Sequence, residues 1–138
     1  DGALVLLDFQ LVCVGESQYD VGYFIMWSFS PEDRRKYEIP LLTSHHRRLV
    51  EAGLDERTYP LELYILRYKY LTPLSILKVF LAGQKIGVAG KDRYILPLLS
   101  SAMEAFIADH GWPRTNWERS VELRTRLLEK YASCKKDT

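Results

Sequence analysis

The sequence predicts a mainly α-helical domain of the α+β kind, with a short N-terminal β-hairpin followed by a helical bundle. Three observations predict it. The 138 residues are 47% hydrophobic and 27% charged, as expected for one globular domain. Two short apolar runs, 3–7 and 11–14, follow a turn dipeptide. From residue 21 onward, apolar residues recur at helical spacing.

The hairpin prediction rests on Asp1-Gly2, because a type I′ turn needs positive φ at both central positions. A hairpin needs a strand on each side, so two interpretations stay open. The dipeptide is either a chance terminus or the point at which a longer polypeptide was cut at a turn, and we favour the second. The predicted strands are 3–7 and 11–14, joined by a link that carries Asp8.

The first predicted helix covers 21–29, with Asp20 in position to cap its N-terminus. Its sequence, VGYFIMWSF, is apolar on every side. A helix without a polar face is typical of a helix enclosed by other elements. We therefore expect 21–29 to be the most buried segment, with Trp27 inside it.

Four further helices are predicted over 31–52, 60–81, 92–109 and 115–131. Ser30-Pro31 is a start signal and Gly53 a stop signal. Pro40 and Pro73 are expected to kink or break their helices, and 83–90 is expected to be a glycine-rich loop. We take 1–134 as one unit and 135–138 as a frayed tail. The residues predicted to face inward are Ile39, Leu42, His46, Leu49, Leu61, Ile65, Tyr68, Ile95, Leu99, Ala102, Phe106, Trp117, Val121, Leu128 and Tyr131.

Composition excludes several classes of protein. Nineteen basic residues face eighteen acidic ones, a net charge of +1, which argues against nucleic acid as a partner. No apolar run reaches the ~18 residues of a membrane span, so no membrane partner is expected. Cys13 and Cys134 make neither a disulfide framework nor a zinc spacing. These features favour a reduced, cytoplasmic domain.

One stretch carries a family resemblance. Residues 6–25, LLDFQLVCVGESQYDVGYFI, give the order strand, Asp-Phe-Gln, short strand, glycine, polar loop, Tyr-Asp and apolar helix. This order resembles the C-terminal lobe of the aminoglycoside phosphotransferase/choline kinase-like group, closest to its ecdysteroid-kinase-like branch. SPEDRR at 30–35 and LLTSHHRRLVEAGL at 41–54 are also similar to that branch. The resemblance covers nearly the whole chain and about the last third of the family's length.

The resemblance implies ATP-dependent phosphorylation of a small-molecule hydroxyl, with Mg²⁺ as cofactor. It implies that Asp8 of the Asp8-Phe9-Gln10 segment is a metal ligand and that Phe9 packs beneath it. Gln10 stands where protein kinases have the glycine of DFG. It also implies that Asp20 supports the catalytic loop. From the residues alone, a turn aspartate is the favoured interpretation of Asp8, and a plain N-cap explains Asp20 as well as the supporting role does.

The family's catalytic loop resembles H-G-D-x-x-x-x-N, and it is missing here. The histidines are His45, His46 and His110, and none precedes Gly-Asp. We therefore expect no catalytic residue in this chain, no activity of this piece alone, and neither ATP nor Mg²⁺ bound to it. The alternative is a non-catalytic, truncated kinase-like helical interaction module. An open edge on strand 3–7 would further favour self-association through residues 3–14.

Two other groups of residues are weaker candidates. Tyr64, Tyr68, Trp112 and Trp117 line an acceptor pocket in one interpretation and belong to an amphipathic core in the other. A cluster of basic residues forms either an anion-binding face or an ordinary solvated helix surface. Its members are Arg34, Arg35, Lys36, Arg47 and Arg48.

Overall fold

The computed structural model describes residues 14–86 and 92–134, with the side chains of 78–86, 92–97, 99, 133 and 134 left out. The described chain is mainly α-helical, as predicted. Its helices are α1 (Gln18–Ser28), α2 (Pro31–Glu51), α3 (Leu61–Ile86), α4 (Asp92–His110) and α5 (Pro113–Cys134). The predicted hairpin, the Asp8-Phe9-Gln10 segment and the tail 135–138 lie outside the described residues.

The helix boundaries follow the capping residues and glycine stop signals of the sequence. Ser30 caps α2, since its hydroxyl accepts a hydrogen bond from the backbone N–H of Asp33 at 3.1 Å, with Pro31 in the first turn. Gly53 and Gly111 follow α2 and α4 with φ of 110° and 78°. Glycine adopts this left-handed region without a Cβ penalty, which ends each helix where the sequence predicts.

Both internal prolines lie inside continuous helices, so of the two predicted outcomes, a kink or a break, the break does not occur. α2 runs through Pro40 and α3 runs through Pro73. A proline removes one helical N–H, and packing along a long helix can offset that loss. α3 also continues to Ile86, so its last four residues are helical where a glycine-rich loop was predicted.

α3 is the central element of the described chain, because it packs against α1, α2, α4 and α5. The buried cluster around it draws apolar side chains from α1, α2, α3 and α4. Its members are Ile25, Met26, Leu42, Tyr64, Tyr68, Ile76 and Phe106. None of the described helices is long and apolar enough to cross a lipid bilayer.

α1 is buried on one side only, and the expectation of a fully enclosed helix is wrong. Gly22 and Ile25 face α3, while Phe24 is 57% exposed and Trp27 41% exposed. A Cβ built on Gly22 would lie 2.1 Å from the Thr72 hydroxyl oxygen, so the two helix backbones approach closely there. That approach buries one face of α1 and leaves its aromatic face outside.

Two of the predicted inward stripes need correction. On α2, Ile39 is 43% exposed, because the buried face runs through Arg34, Glu38, Leu42 and His46 and Ile39 lies about 100° around the helix from Glu38. On α5, the residues predicted inward are exposed in three of four cases, namely Trp117, Val121 and Leu128. The buried face of α5 instead carries Asn116 and Ser120. Small polar residues there leave room for α5 to lie against α3.

Candidate functional site

The loop before α1 is tied to α3 and its preceding turn by a polar network. A carboxylate oxygen of Glu16 accepts a hydrogen bond from the Tyr59 hydroxyl at 3.0 Å, and its other oxygen lies 3.3 Å from a guanidinium nitrogen of Arg67. The side-chain amide of Gln18 donates to the same Tyr59 hydroxyl at 2.9 Å. These contacts fix the chain immediately after the Asp8-containing segment.

Arg67 is the buried cation of this network. The residue is 4% exposed, and its guanidinium carbon lies 4.5 Å from the ring centre of Trp117. Its Nε atom has no hydrogen-bond partner among the described residues. Burial, followed by the nearby Glu16 carboxylate, raises the pKa of Tyr59, so the tyrosine stays protonated and donates to Glu16.

Asp20 lies in the first turn of α1 and is exposed. Helix α1 begins earlier than predicted, with Ser17 as its N-cap residue and no side-chain capping bond, so the prediction of Asp20 as the N-cap is wrong. A carboxylate in the first turn still stabilises the helix through its dipole.

The expectation that Asp8 is a ligand of Mg²⁺ is not tested directly by the described residues. Asp8 lies outside them, and the carboxylate of Glu16 already accepts from Tyr59 and pairs with Arg67. No group of three His, Cys, Asp or Glu side chains suited to a metal ion occurs in the part of the chain that the structure describes. A metal-binding role for Asp8 therefore rests on the sequence resemblance.

A second polar cluster joins α2, α3 and α4. The buried Glu38 accepts hydrogen bonds from the Tyr68 hydroxyl at 3.1 Å and from an Arg34 guanidinium nitrogen at 3.0 Å. His110 Nε2 lies 3.0 Å from a Glu38 carboxylate oxygen and 3.0 Å from Arg34. Guanidinium nitrogens only donate and carboxylates only accept, so Nε2 cannot hydrogen-bond both partners at once. The tautomer with its proton on Nε2 donates to Glu38 and makes no hydrogen bond with Arg34.

Asp109 completes the charge balance of this cluster. Its carboxylate accepts hydrogen bonds from the buried Arg34 and, at 2.9 Å, from Arg35. Arg34 also lies 5.1 Å from the ring centre of Phe106. Two arginines thus face two carboxylates, which makes the burial of Arg34, only 2% exposed, tolerable.

The Glu38 carboxyl is held in its ionised form. Burial by itself raises its pKa, but the hydrogen bonds and charges of His110 and Arg34 more than offset burial and leave the pKa below its usual value. Burial and the Glu38 charge raise the pKa of Tyr68. The cluster therefore acts as a fixed, ionised crosslink between helices.

The adjacent histidines of α2, His45 and His46, make hydrogen bonds to different partners. His46 is buried and donates from Nε2 to the backbone carbonyl of Tyr59 at 2.9 Å. His45 Nδ1 accepts from the Tyr64 hydroxyl at 2.7 Å. Burial, then the charges of Arg48 and His46, lowers the pKa of His45, and burial raises that of Tyr64 to about 12.

The four candidate acceptor-pocket residues lie in different surroundings. Tyr64 and Tyr68 are fully buried, and each hydroxyl already has a side-chain partner. Trp112 is 69% exposed, and Trp117 packs against Tyr70 with ring centres 4.8 Å apart and the ring planes tilted by 41°. The structure does not bring the four side chains around one described cleft.

Two groups of aromatic side chains lie on the outer side of α1 and α2, and together we call them the aromatic surface. Ring centres are 6.2 Å apart for Phe24 and Phe29, and 6.0 Å apart for Phe29 and Tyr37. Tyr23 and Trp27 extend the surface along α1 at 5.7 Å. An apolar cleft of about 300 Å³ opens within it. The cleft is lined by Phe29, Tyr37, Pro40 and Leu41.

Sequence reasoning missed the polar cluster around Glu38. The five basic residues predicted as one face do not form a single surface. Arg34 is buried and Arg35 pairs with Asp109. Lys36, Arg47 and Arg48 are exposed. The spacing of Arg34 and Glu38, four residues apart on one helix, was the only local signal. Nothing local indicates their partners more than 70 residues away.

Comparison with known proteins adds no relative. No protein-family model, no curated protein and no solved structure matches this chain.

Proposed function

We propose that this chain is the C-terminal part of an ATP-dependent phosphotransferase that acts on a small-molecule hydroxyl in the cytoplasm. The observation that carries the proposal is the sequence of the stretch 6–25, in which Asp-Phe-Gln precedes a predicted short strand, a polar loop and an apolar helical segment. In this proposal Asp8 holds Mg²⁺ on the phosphates of ATP, since a carboxylate oxygen is the ligand type that Mg²⁺ prefers.

The described geometry is compatible with this role. Glu16 and Gln18 tie the loop after the Asp8 segment to Tyr59 and Arg67, which would hold that segment against a rigid helix. Asp20 lies exposed in the first turn of α1. Its carboxylate would then accept hydrogen bonds from backbone N–H groups of a catalytic loop supplied by a longer parent polypeptide.

The test uses the parent polypeptide, read from the gene through the region upstream of Asp1. MgATP is incubated with a panel of sterols, amino alcohols and aminoglycosides, and transfer of phosphate is followed by mass spectrometry. We expect Asp8→Asn to abolish transfer and Asp20→Asn to reduce it. Asp33→Asn is the control, since Asp33 is an exposed carboxylate at the start of α2.

The 138-residue chain alone gives the complementary test. We expect calorimetric titration with MgATP to give no saturable heat, because one carboxylate cannot assemble a nucleotide site. A dissociation constant below about a millimolar, roughly −4 kcal/mol, would contradict the inactive-fragment expectation. An upstream region without a Gly-Asp and Asn loop, or a parent in which Asp8→Asn keeps full activity, would overturn the phosphotransferase proposal.

A non-catalytic interaction module is the second candidate. The observation that favours it is the aromatic surface on α1 and α2, since exposed apolar patches often mark interaction sites. In this case the parent would show no phosphate transfer with any acceptor. Self-association through residues 3–14 remains a proposal for either candidate.

A further inference from the structure

Arg67 is a buried cation whose hydrogen bonds are incomplete. Its side chain is 5% exposed and pairs with Glu16, with 3.3 Å between a guanidinium nitrogen and a carboxylate oxygen. The Nε atom of Arg67 is buried and has no hydrogen-bond partner in the part of the chain that the structure describes. A buried donor without a partner lowers stability, because the hydrogen bond that it makes to water in the unfolded chain is not replaced. A well-packed apolar side chain would therefore stabilise this position at least as well.

The guanidinium group of Arg67 is nevertheless held in a fixed place. Arg67 lies on α3, and its guanidinium carbon is 4.5 Å from the ring centre of Trp117 on α5. Trp117 in turn packs against Tyr70 of α3, with ring centres 4.8 Å apart. A planar guanidinium group that lies over an aromatic ring has a defined orientation. Arg67 therefore presents its charge to Glu16 from a rigid part of the helical bundle.

Glu16 connects this fixed charge to the loop before α1. Its second carboxylate oxygen accepts a hydrogen bond from the Tyr59 hydroxyl at 3.0 Å, so the side chain is held from two directions. Its backbone carbonyl accepts from the N–H of Tyr19, in the first turn of α1, at 3.1 Å. Glu16 follows Asp8 by eight residues, so this contact lies in the chain between Asp8 and the helix.

We propose that Arg67 is a positioning residue, which acts through Glu16 to place the loop between the Asp8 segment and α1. Its consequence for catalysis rests on the proposed function, because a reacting group is effective only when the chain that carries it is held in one place. A purely stabilising role explains the arrangement less well. The Glu16 side chain is 37% exposed, so water competes for its carboxylate and the ion pair adds little to stability.

The unequal burial of the two partners selects the variant for the test. Glu16→Gln leaves a buried arginine without a counter-charge, which would destabilise the fold by itself. Arg67→Met instead leaves a carboxylate that water can reach, and the methionine side chain can still pack on Trp117. We therefore expect Arg67→Met to keep the melting temperature within about 4 °C of that of the unaltered chain.

The first measurement is amide hydrogen exchange of the 138-residue chain, followed by NMR. Arg67→Met should speed exchange of the Tyr19 N–H, which bonds to the Glu16 carbonyl, at least about tenfold, and change exchange within α2 less than about twofold. The double variant Arg67→Met/Glu16→Gln should exchange no faster than Arg67→Met, because Arg67 acts through Glu16. Arg114→Met is the matched control, since it removes an exposed ion pair with Glu118 on α5.

The second measurement is phosphate transfer by the parent polypeptide, with the best acceptor of the panel. Arg67→Met should lower kcat at least about tenfold and leave the KM for that acceptor within about twofold, because the loop positions the Asp8 segment and not the acceptor. Arg67→Lys keeps a cation for Glu16 and should recover part of kcat. A loss of folded protein alone would not give this order of the two variants.

The outcomes separate this proposal from the proposed function. Unchanged exchange at Tyr19, additive effects in the double variant, or full kcat in Arg67→Met would overturn the positioning role. So would faster exchange throughout α2 and α3 with a large fall in melting temperature, since Arg67 would then hold the whole fold. A parent without phosphate transfer, in which Arg67→Met still speeds exchange at Tyr19, would overturn the phosphotransferase proposal and support the placement of the loop by Arg67.

Discussion

His110 Nε2 donates a hydrogen bond to a carboxylate oxygen of Glu38 at 3.0 Å, and this bond joins the end of α4 to the middle of α2. The same carboxylate accepts from Tyr68 of α3. One buried anion therefore holds three helices, which explains how a polar group persists in the interior of a small domain. Each partner satisfies part of the hydrogen-bonding capacity that burial would otherwise leave unmet.

The first prediction concerns the loss of this anion. Glu38→Gln keeps the size of the side chain but leaves Arg34 short of a counter-charge, so we expect a loss of about 3 kcal/mol in the free energy of unfolding at pH 7. Urea denaturation measures it. Glu118→Gln is the control, because Glu118 pairs with Arg114 on the exposed surface and should cost under about 1 kcal/mol.

Glu38 also gives stability a defined pH dependence. Its folded pKa lies below 4.5, the ordinary value of a glutamate, so the unfolded chain binds more protons just below pH 4.5. Its contribution to stability is present above pH 4.5 and is lost as the pH falls toward the folded pKa. We expect Glu38→Gln to reduce the fall in the free energy of unfolding below pH 4.5. If the free energy of unfolding falls equally steeply in the variant, other carboxylates dominate the pH dependence.

The second prediction concerns the close approach of α1 and α3. Gly22→Ala should destabilise the fold by about 1–3 kcal/mol, because the new Cβ overlaps the Thr72 side chain. Adding Thr72→Ala removes the hydroxyl oxygen at 2.1 Å but leaves the Cβ at 2.9 Å, so it should restore only part of the loss. Gly15→Ala is the control, since nothing lies within 4 Å of a Cβ there. Thermal melting that leaves Gly22→Ala unchanged would contradict this packing.

The third prediction separates the two faces of α1. Ile25 is fully buried, so Ile25→Ala should cost about 2–5 kcal/mol. Trp27→Ala should cost less than about 2 kcal/mol because Trp27 is 41% exposed. Both variants are compared by chemical denaturation. A larger loss for Trp27 than for Ile25 would mean that the aromatic face of α1 is covered in solution.

The fourth prediction concerns the charge state of His45. Its pKa lies below 6.5, so the folded chain binds fewer protons than the unfolded chain near pH 6. Its contribution to stability is present above pH 6.5 and is lost as the pH falls toward the folded pKa. NMR titration of the imidazole should show a midpoint below 6.5. Tyr64→Phe should raise that midpoint, since the Tyr64 hydroxyl bonds to the neutral form of His45.

Much of the helical framework could be predicted from local sequence. Ser30-Pro31, Gly53 and Gly111 place helix ends within a few residues of where the structure has them, because caps and left-handed glycines act locally. The break that was considered at each proline does not occur. The effect of a proline depends on the packing around a long helix, and Pro40 and Pro73 remain inside continuous helices.

The sequence by itself determined the mainly helical class and the approximate helix ranges. The spacing of apolar residues and the start and stop signals of helices depend only on neighbouring residues. Only the tertiary structure decided which face of each helix is buried. Gly22 against Thr72 turns the aromatic side of α1 outward, and the charges around Glu38 displace Ile39 from the buried face of α2. Such choices depend on partners distant in the chain, and no local pattern specifies a contact between Glu38 and His110 across 72 residues.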